Sequence, residues 1–183
     1  MPKLQFLQAN RNAFYPPPAG GGPVLEFVTY RDLNATTQDL ATGTLTSTGA
    51  YAYGLGTKKA VLPGRASLEL QHNPIFDYGI AGWYSDSYAA FANVRYGIYV
   101  DSATTWMVFV EGSGSGYPGG GWNPSDVFHI NIYPDRVEWL RNGELVYTLQ
   151  QAPAYAELWA GGYMSYGQCA WTMRAGAENY VLR

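Results

Sequence analysis

Two stretches of the sequence gather flat aromatic rings beside planar polar side chains. In WYSDSYAAFAN, running from Trp83 to Asn93, the rings of Trp83, Tyr84 and Tyr88 accompany Asp86. In GSGSGYPGGGW, running from Gly112 to Trp122, six glycines surround Tyr117 and lead into Trp122 and Asn123. Aromatic faces stack on C–H bonds, while amide and carboxylate groups hydrogen-bond hydroxyls; together these are the means of holding a sugar. The candidate ligand contacts are therefore Trp83, Tyr84, Asp86, Tyr88, Tyr117, Trp122 and Asn123. A single ring of this kind more often packs a core or a strand edge. Polar or glycine-rich loop surroundings are what single out Tyr88 and Trp122.

Other chemistries are poorly supplied. A glycine-rich loop that cradles phosphate needs a helix N-terminus behind it and usually a Lys, and neither follows Gly121. Asp86 with Asn93, or Asn123 with Asp126, offers oxygens to a cation, but neither pair matches a calcium-loop signature. No metal or cofactor is expected. The sequence has 2 histidines: His129 in a strand pattern and His72 before the turn signal Asn73-Pro74. Neither stands near a nucleophile in sequence, so both read as structural. The lone Cys169 forms no internal disulfide and reads as a small buried hydrophobe.

The elements that must position these residues are strands. In DVFHINIYPDRVEWLRNGELVYT, from Asp126 to Thr148, Phe128, Ile130 and Ile132 alternate with His129, Asn131 and Tyr133. That period of two is the pleat of a half-buried strand. Val137 and Trp139 continue it after a Pro-Asp turn. Asn142-Gly143 suits a type I′ hairpin turn, whose central residues both need positive φ, and the flanking Arg141 and Glu144 are placed to pair across the ladder. Further strands are expected at Leu25–Tyr30, Thr42–Thr48, Tyr51–Leu55, Ala66–Gln71, Asp77–Tyr84, Tyr96–Val100, Trp106–Val110, Leu158–Tyr163 and Gln168–Arg174. Gly79 and Gly82 suggest a bulge or a close backbone approach. No stretch of ten residues carries a helical apolar repeat. Short strands with Gly, Pro, Asn and Asp at the turns predict an all-β sandwich.

Length and composition agree. The 183 residues suffice for one sizeable domain. Aromatics comprise 6 Trp, 16 Tyr and 7 Phe, against 11 basic and 14 acidic residues, a balance that suits sheets and binding surfaces. A net charge of −3 without a basic cluster argues against nucleic acid. No apolar run is long enough to span a membrane. The start, MPKLQFLQANRNAFY, lacks the apolar segment of a signal peptide, which predicts synthesis in a cytoplasm. Residues 1–23 stand apart: Pro16-Pro17-Pro18 is stiff and Ala19-Gly20-Gly21-Gly22-Pro23 flexible, so this is an arm and linker ahead of a domain at 24–183. Leu4, Phe6 and Leu7 have no domain of their own to enter, which makes them either a frayed end or an assembly anchor.

The blocks TGTLTSTGAYAYG, Ala66–Gln71, Tyr78–Tyr84, Val94–Asp101 and VFHINIYPDRVEWLRNGELVYT resemble the concanavalin A-like lectin/glucanase jelly roll, in the small form found in tailed-bacteriophage fibre and virion-surface proteins. The last block carries most of the resemblance, which spans Val28–Ala175. It implies a two-sheet antiparallel jelly-roll β-sandwich of about a dozen strands, here with an extended N-terminal arm. It implies adhesion to a cell-surface polysaccharide or other glycan, a homotrimer or larger assembly, other virion proteins as partners of the arm, and a place on the virion surface. The glucanase branch uses Glu-x-Asp-x-Glu on one strand face, and no such triplet occurs: Glu69 is followed by Gln71, Asp101 by Ala103, while Asp135 and Glu138 flank a turn. The expectation is a non-enzymatic binding protein. The alternative is a structural virion protein, a head decoration, spike or fibre subunit that binds no sugar.

Overall fold

The computed structural model describes residues 22–73, 78–85, 90–101, 105–165 and 169–182. The strands are β1 (Glu26–Phe27), β2 (Tyr30–Asn34), β3 (Thr36–Asp39), β4 (Thr44–Ser47), β5 (Ala52–Val61), β6 (Ala66–Asn73), β7 (Gly79–Tyr84), β8 (Val94–Asp101), β9 (Thr105–Val110), β10 (Ser113–Gly120), β11 (Val127–Ile132), β12 (Val137–Arg141), β13 (Glu144–Leu149), β14 (Glu157–Met164), β15 (Ala170–Ala177) and β16 (Tyr180–Leu182). One 3-10 turn, Phe91–Asn93, precedes β8, and no α-helix occurs among the described residues.

The strands form two antiparallel sheets. The first runs β13-β12-β11-β6-β15-β4-β3, with β1 also on β15. The second runs β10-β9-β8-β7-β14-β5-β16, with β2 also on β5. The expected first strand at Leu25–Tyr30 is split between the sheets: β1, and Val28 N–H through Met173 O, stay on β15, and β2 then joins β5 of the other sheet. Asn142 and Gly143 do take positive φ, 52° and 80°, closing the β12–β13 hairpin. Arg141 and Glu144 stand opposite each other in register, but the Arg141 guanidinium turns to Asp126 at 2.6 Å instead. A buried carboxylate attracts it more strongly than the solvated Glu144.

The inward alternation of the first sheet is as read. Phe128, Ile130 and Ile132 are buried, as are Leu68 and Leu70 on β6. Two tryptophans stitch the sheets together: Trp139 Nε1 donates to Gly97 O at 3.0 Å, and Trp83 Nε1 to Ile130 O at 3.5 Å. Each indole thus fills the inter-sheet space while its one donor reaches a backbone carbonyl, the condition for burying Trp. The glycine-rich Gly112–Trp122 stretch is not a loop. Most of it is β10, an irregular edge strand on β9 with register shifts on either side of Pro118. Gly119 lies flat against the indole of Trp106, where a Cβ would sit 2.0 Å from the ring.

Candidate ligand-binding face

The structure removes three predicted contacts from the surface. Trp83 belongs to the inter-sheet core and is fully buried. Tyr84 is fully buried on the other side of β7, where its hydroxyl donates to Ile80 O at 3.2 Å. Burial, with Tyr163 beside it, holds that phenol's pKa well above its usual value. Trp122 is drawn inward and packs edge-on to His72, with ring centroids 4.8 Å apart. Trp83 and Tyr84 close the strand expected at Asp77–Tyr84, and because β7 is buried on both faces neither ring is left for a ligand, while Trp122 lies beyond β10. Asn123 is exposed, and its backbone N–H donates to Asp126 Oδ2 at 2.7 Å. Asp86, Tyr88, Leu4, Phe6 and Leu7 lie outside the described residues, and Tyr117 falls in β10 with its side chain outside them. The two predicted clusters sit at opposite ends of the sandwich. Trp83 aligns through Tyr96 with Val110, the end of β9, whereas Gly120 before Trp122 aligns with Trp106, near its start.

What sequence reasoning missed is the outer face of the second sheet. Cross-strand register lines up Tyr53, Tyr163, Ile80, Tyr99 and Met107 from five adjacent strands in one row. The neighbouring row is Leu55, Gly161, Gly82, Gly97 and Phe109. Three consecutive glycines across three central strands let neighbouring chains and side chains approach closely. Gly82 admits no side chain, since a Cβ there would lie 2.2 Å from Tyr96 O. Val94 and Ile80 pack over Gly97, and Leu55 and the Tyr84 ring over Gly161. Phe91, on the 3-10 turn, completes the patch, with ring centroids 5.0 Å from Tyr163, 5.6 Å from Tyr99 and 5.9 Å from Phe109. Tyr53, Phe91, Tyr99 and Tyr163 stay half-buried, so part of each ring meets solvent over a buried apolar layer. The signal available in sequence was the spacing of glycines within aromatic strands, which points to close approach but not to which face.

The electrostatics of this face are quiet. Lys59 pairs with Glu157 at 2.5 Å, and Arg95 donates to Ser85 Oγ at 2.6 Å and lies 3.5 Å from Glu111. Arg31 Nε donates to Gly56 O at 3.3 Å. Burial foremost, then Asp101 and Tyr78, pushes the Tyr99 phenol up to about 12, so it is a neutral donor at physiological pH. Both histidines lie on the first sheet. His129 faces Glu69 on its outer side at 3.3 Å. His72 Nε2 lies 2.9 Å from Cys169 Sγ in the buried interior, and desolvation lowers its pKa to about 4.

Asp126 is equally committed to structure. One carboxylate oxygen accepts from Arg141 and the Asn123 N–H, the other from Asn142 Nδ2 at 2.7 Å. Burial opposes its charge, but these three donors outweigh burial and hold the carboxyl below its usual range. An adjoining guanidinium disfavours a cation there. Among the described residues, no group of three or more His, Cys, Asp or Glu is placed to hold a metal ion.

No protein-family model matches the sequence, and comparison with curated proteins gives no match. Solved structures do match. The SPRY domain of human HERC1 aligns with a TM-score of 0.56 at 11% identity, over 81% of this chain and 96% of that one. The VIP36 exoplasmic/lumenal domain, in its Ca2+/Man3GlcNAc-bound form, gives 0.55 at 7%, over 82% and 83%. The alginate lyase from Corynebacterium sp. gives 0.52 at 9%, over 80% and 81%. One backbone architecture thus carries proteins of different kinds, and likeness at such identities speaks for architecture alone. The chain shares with these structures the two-sheet antiparallel jelly-roll sandwich expected from its sequence.

Proposed function

We propose that this protein is a non-enzymatic carbohydrate-binding module on the surface of a tailed phage or phage-like particle, where it attaches to a host cell-surface glycan. The observation that carries the reading is the row Tyr53–Tyr163–Ile80–Tyr99–Met107 beside the glycine row. It sets the half-buried rings of Tyr53 and Tyr163 on adjacent strands, about 4.8 Å apart, and that of Tyr99 two strands further on across Ile80, faces on which a sugar can stack. Cations at this face already have partners, which favours a neutral glycan over a polyuronate. Acid–base catalysis finds little support: Tyr99 is a neutral donor, and the histidines belong to the other sheet. The particle-surface role rests on the resemblance of the Val127–Thr148 block and on the arm, and several copies would turn weak single-site binding into avidity.

A glycan array and a host-cell binding assay test this, comparing wild type with Tyr53→Ala and Tyr163→Ala, folding being checked by near-ultraviolet circular dichroism. Loss of an aromatic platform ring is expected to weaken binding roughly tenfold per ring. Absence of binding at multivalent presentation would leave the structural virion subunit. That second reading has its own observation in exposed apolar side chains, Leu182 at 70%, Leu40 at 62% and Phe27 at 46%, which neighbouring subunits would cover.

A further inference from the structure

The end of the sandwich opposite Trp122 carries two adjoining clefts. One, of about 220 Å³, includes Gly22, Pro23, Arg65 and Tyr133, so the described chain enters the domain there. The other, of about 260 Å³, is lined by Pro63, Tyr133, Pro134, Pro153, Ala154 and Tyr155. Tyr133 is the wall between them. Both tyrosines are held in place from outside the cleft: Arg136 stacks 4.2 Å from the Tyr133 ring, Arg95 stacks 4.9 Å from the Tyr155 ring, and the Tyr155 hydroxyl bonds Glu111. Rings fixed in advance lose little entropy when a ligand lands on them.

A cleft of fixed tyrosines between prolines is the chemistry that recognises a polyproline II segment, which is itself stiff and loses little on binding. The chain contains such a segment a short way upstream. Pro16-Pro17-Pro18 is separated from Gly22 by Ala19-Gly20-Gly21. Four residue steps reach about 13 Å, and three prolines in this helix span about 9 Å. Because Gly22 and Tyr133 line one cleft, a tether of this length brings the prolines within reach of the Tyr133 ring, and glycine's backbone freedom permits a turn back onto it. The geometry points to Pro16–Pro18 of the chain's own arm docking in the Tyr133–Tyr155 cleft. The short tether gives the contact a high effective concentration. Docking roots the arm at one end of the sandwich.

Limited chymotrypsin digestion of the full chain tests this, following release of residues 1–14 by cleavage after Phe14. Three proteins are compared: wild type, the triple variant Pro16→Ser/Pro17→Ser/Pro18→Ser, and Ala154→Arg, which fills the cleft from an exposed position. Each rate is normalised to a free synthetic peptide of the matching arm sequence. Wild type is expected to be cut at least tenfold more slowly than either variant, at a rate unchanged over a hundredfold dilution. Equal normalised rates for wild type and the triple variant would overturn the docking, and protection that survives Ala154→Arg would overturn the cleft as its place. Protection that vanishes on dilution would overturn the intramolecular contact in favour of an arm from a neighbouring copy.

Discussion

The two sheets share one core but have opposite exteriors. On the first sheet, Arg174, Glu69 and His129 stand side by side in register and pair at 3.3 Å, with Ser67 and Asn131 bonded at 2.5 Å in the next row. On the second sheet the corresponding positions are Tyr, Trp, Phe, Ile, Met and Gly, and a second apolar layer is buried there without any further sheet to cover it. A sheet that packs on one side needs only one apolar face. The first sheet meets that minimum and the second exceeds it, and the proposed binding face rests on that excess. The sandwich explains the inner layer, and a ligand on the outer one belongs to the proposal.

The contrast can be broken most severely at Tyr84. If the outer layer of the second sheet is a true core, Tyr84→Ala costs about 3–5 kcal/mol in urea unfolding, as for any buried aromatic. A cost below about 1 kcal/mol would show that layer to be loose decoration. The buried His72 sharpens the same contrast from within the first sheet. The pKa of His72 in the folded protein, about 4, lies below its ordinary 6.5, so the unfolded chain takes up the proton first. The associated stability is complete above pH 6.5 and declines as pH falls toward 4. His72→Phe is expected to flatten the melting temperature across that window. The smallest effect belongs to the solvated exterior: Glu69→Ala removes the partly exposed ion pair with Arg174 and the contact with His129 and costs less than about 1 kcal/mol, diminishing further in high salt.

Much of the fold was legible because its physics is local. Phe128, Ile130 and Ile132 face inward and His129 and Asn131 outward because side chains alternate along a pleat, and a half-solvated sheet prints that alternation in the sequence. Asn142-Gly143 declared its hairpin because few other pairs tolerate two successive positive φ values. The site was much less legible. Trp83 and Tyr84 lie on an expected strand, but that the strand is buried on both faces was not legible, and Trp122 is drawn from beyond β10 onto His72 by a contact distant in sequence. Arg141 chose Asp126 over its register partner because burial, invisible in one dimension, decides which carboxylate attracts more strongly.

By itself the sequence determined that this chain is antiparallel β, where its best hairpin turns, and that it has aromatic rings in excess of what one core requires. All of these follow from residue type and short-range spacing. Only the tertiary structure decided where the excess rings go. Tyr53, Tyr163, Ile80, Tyr99 and Met107 come from five separate stretches of the sequence, and cross-strand register alone sets them in one row beside Gly161, Gly82 and Gly97. Register depends on strand order and on bulges, quantities that belong to the folded sheet and to no single segment of it.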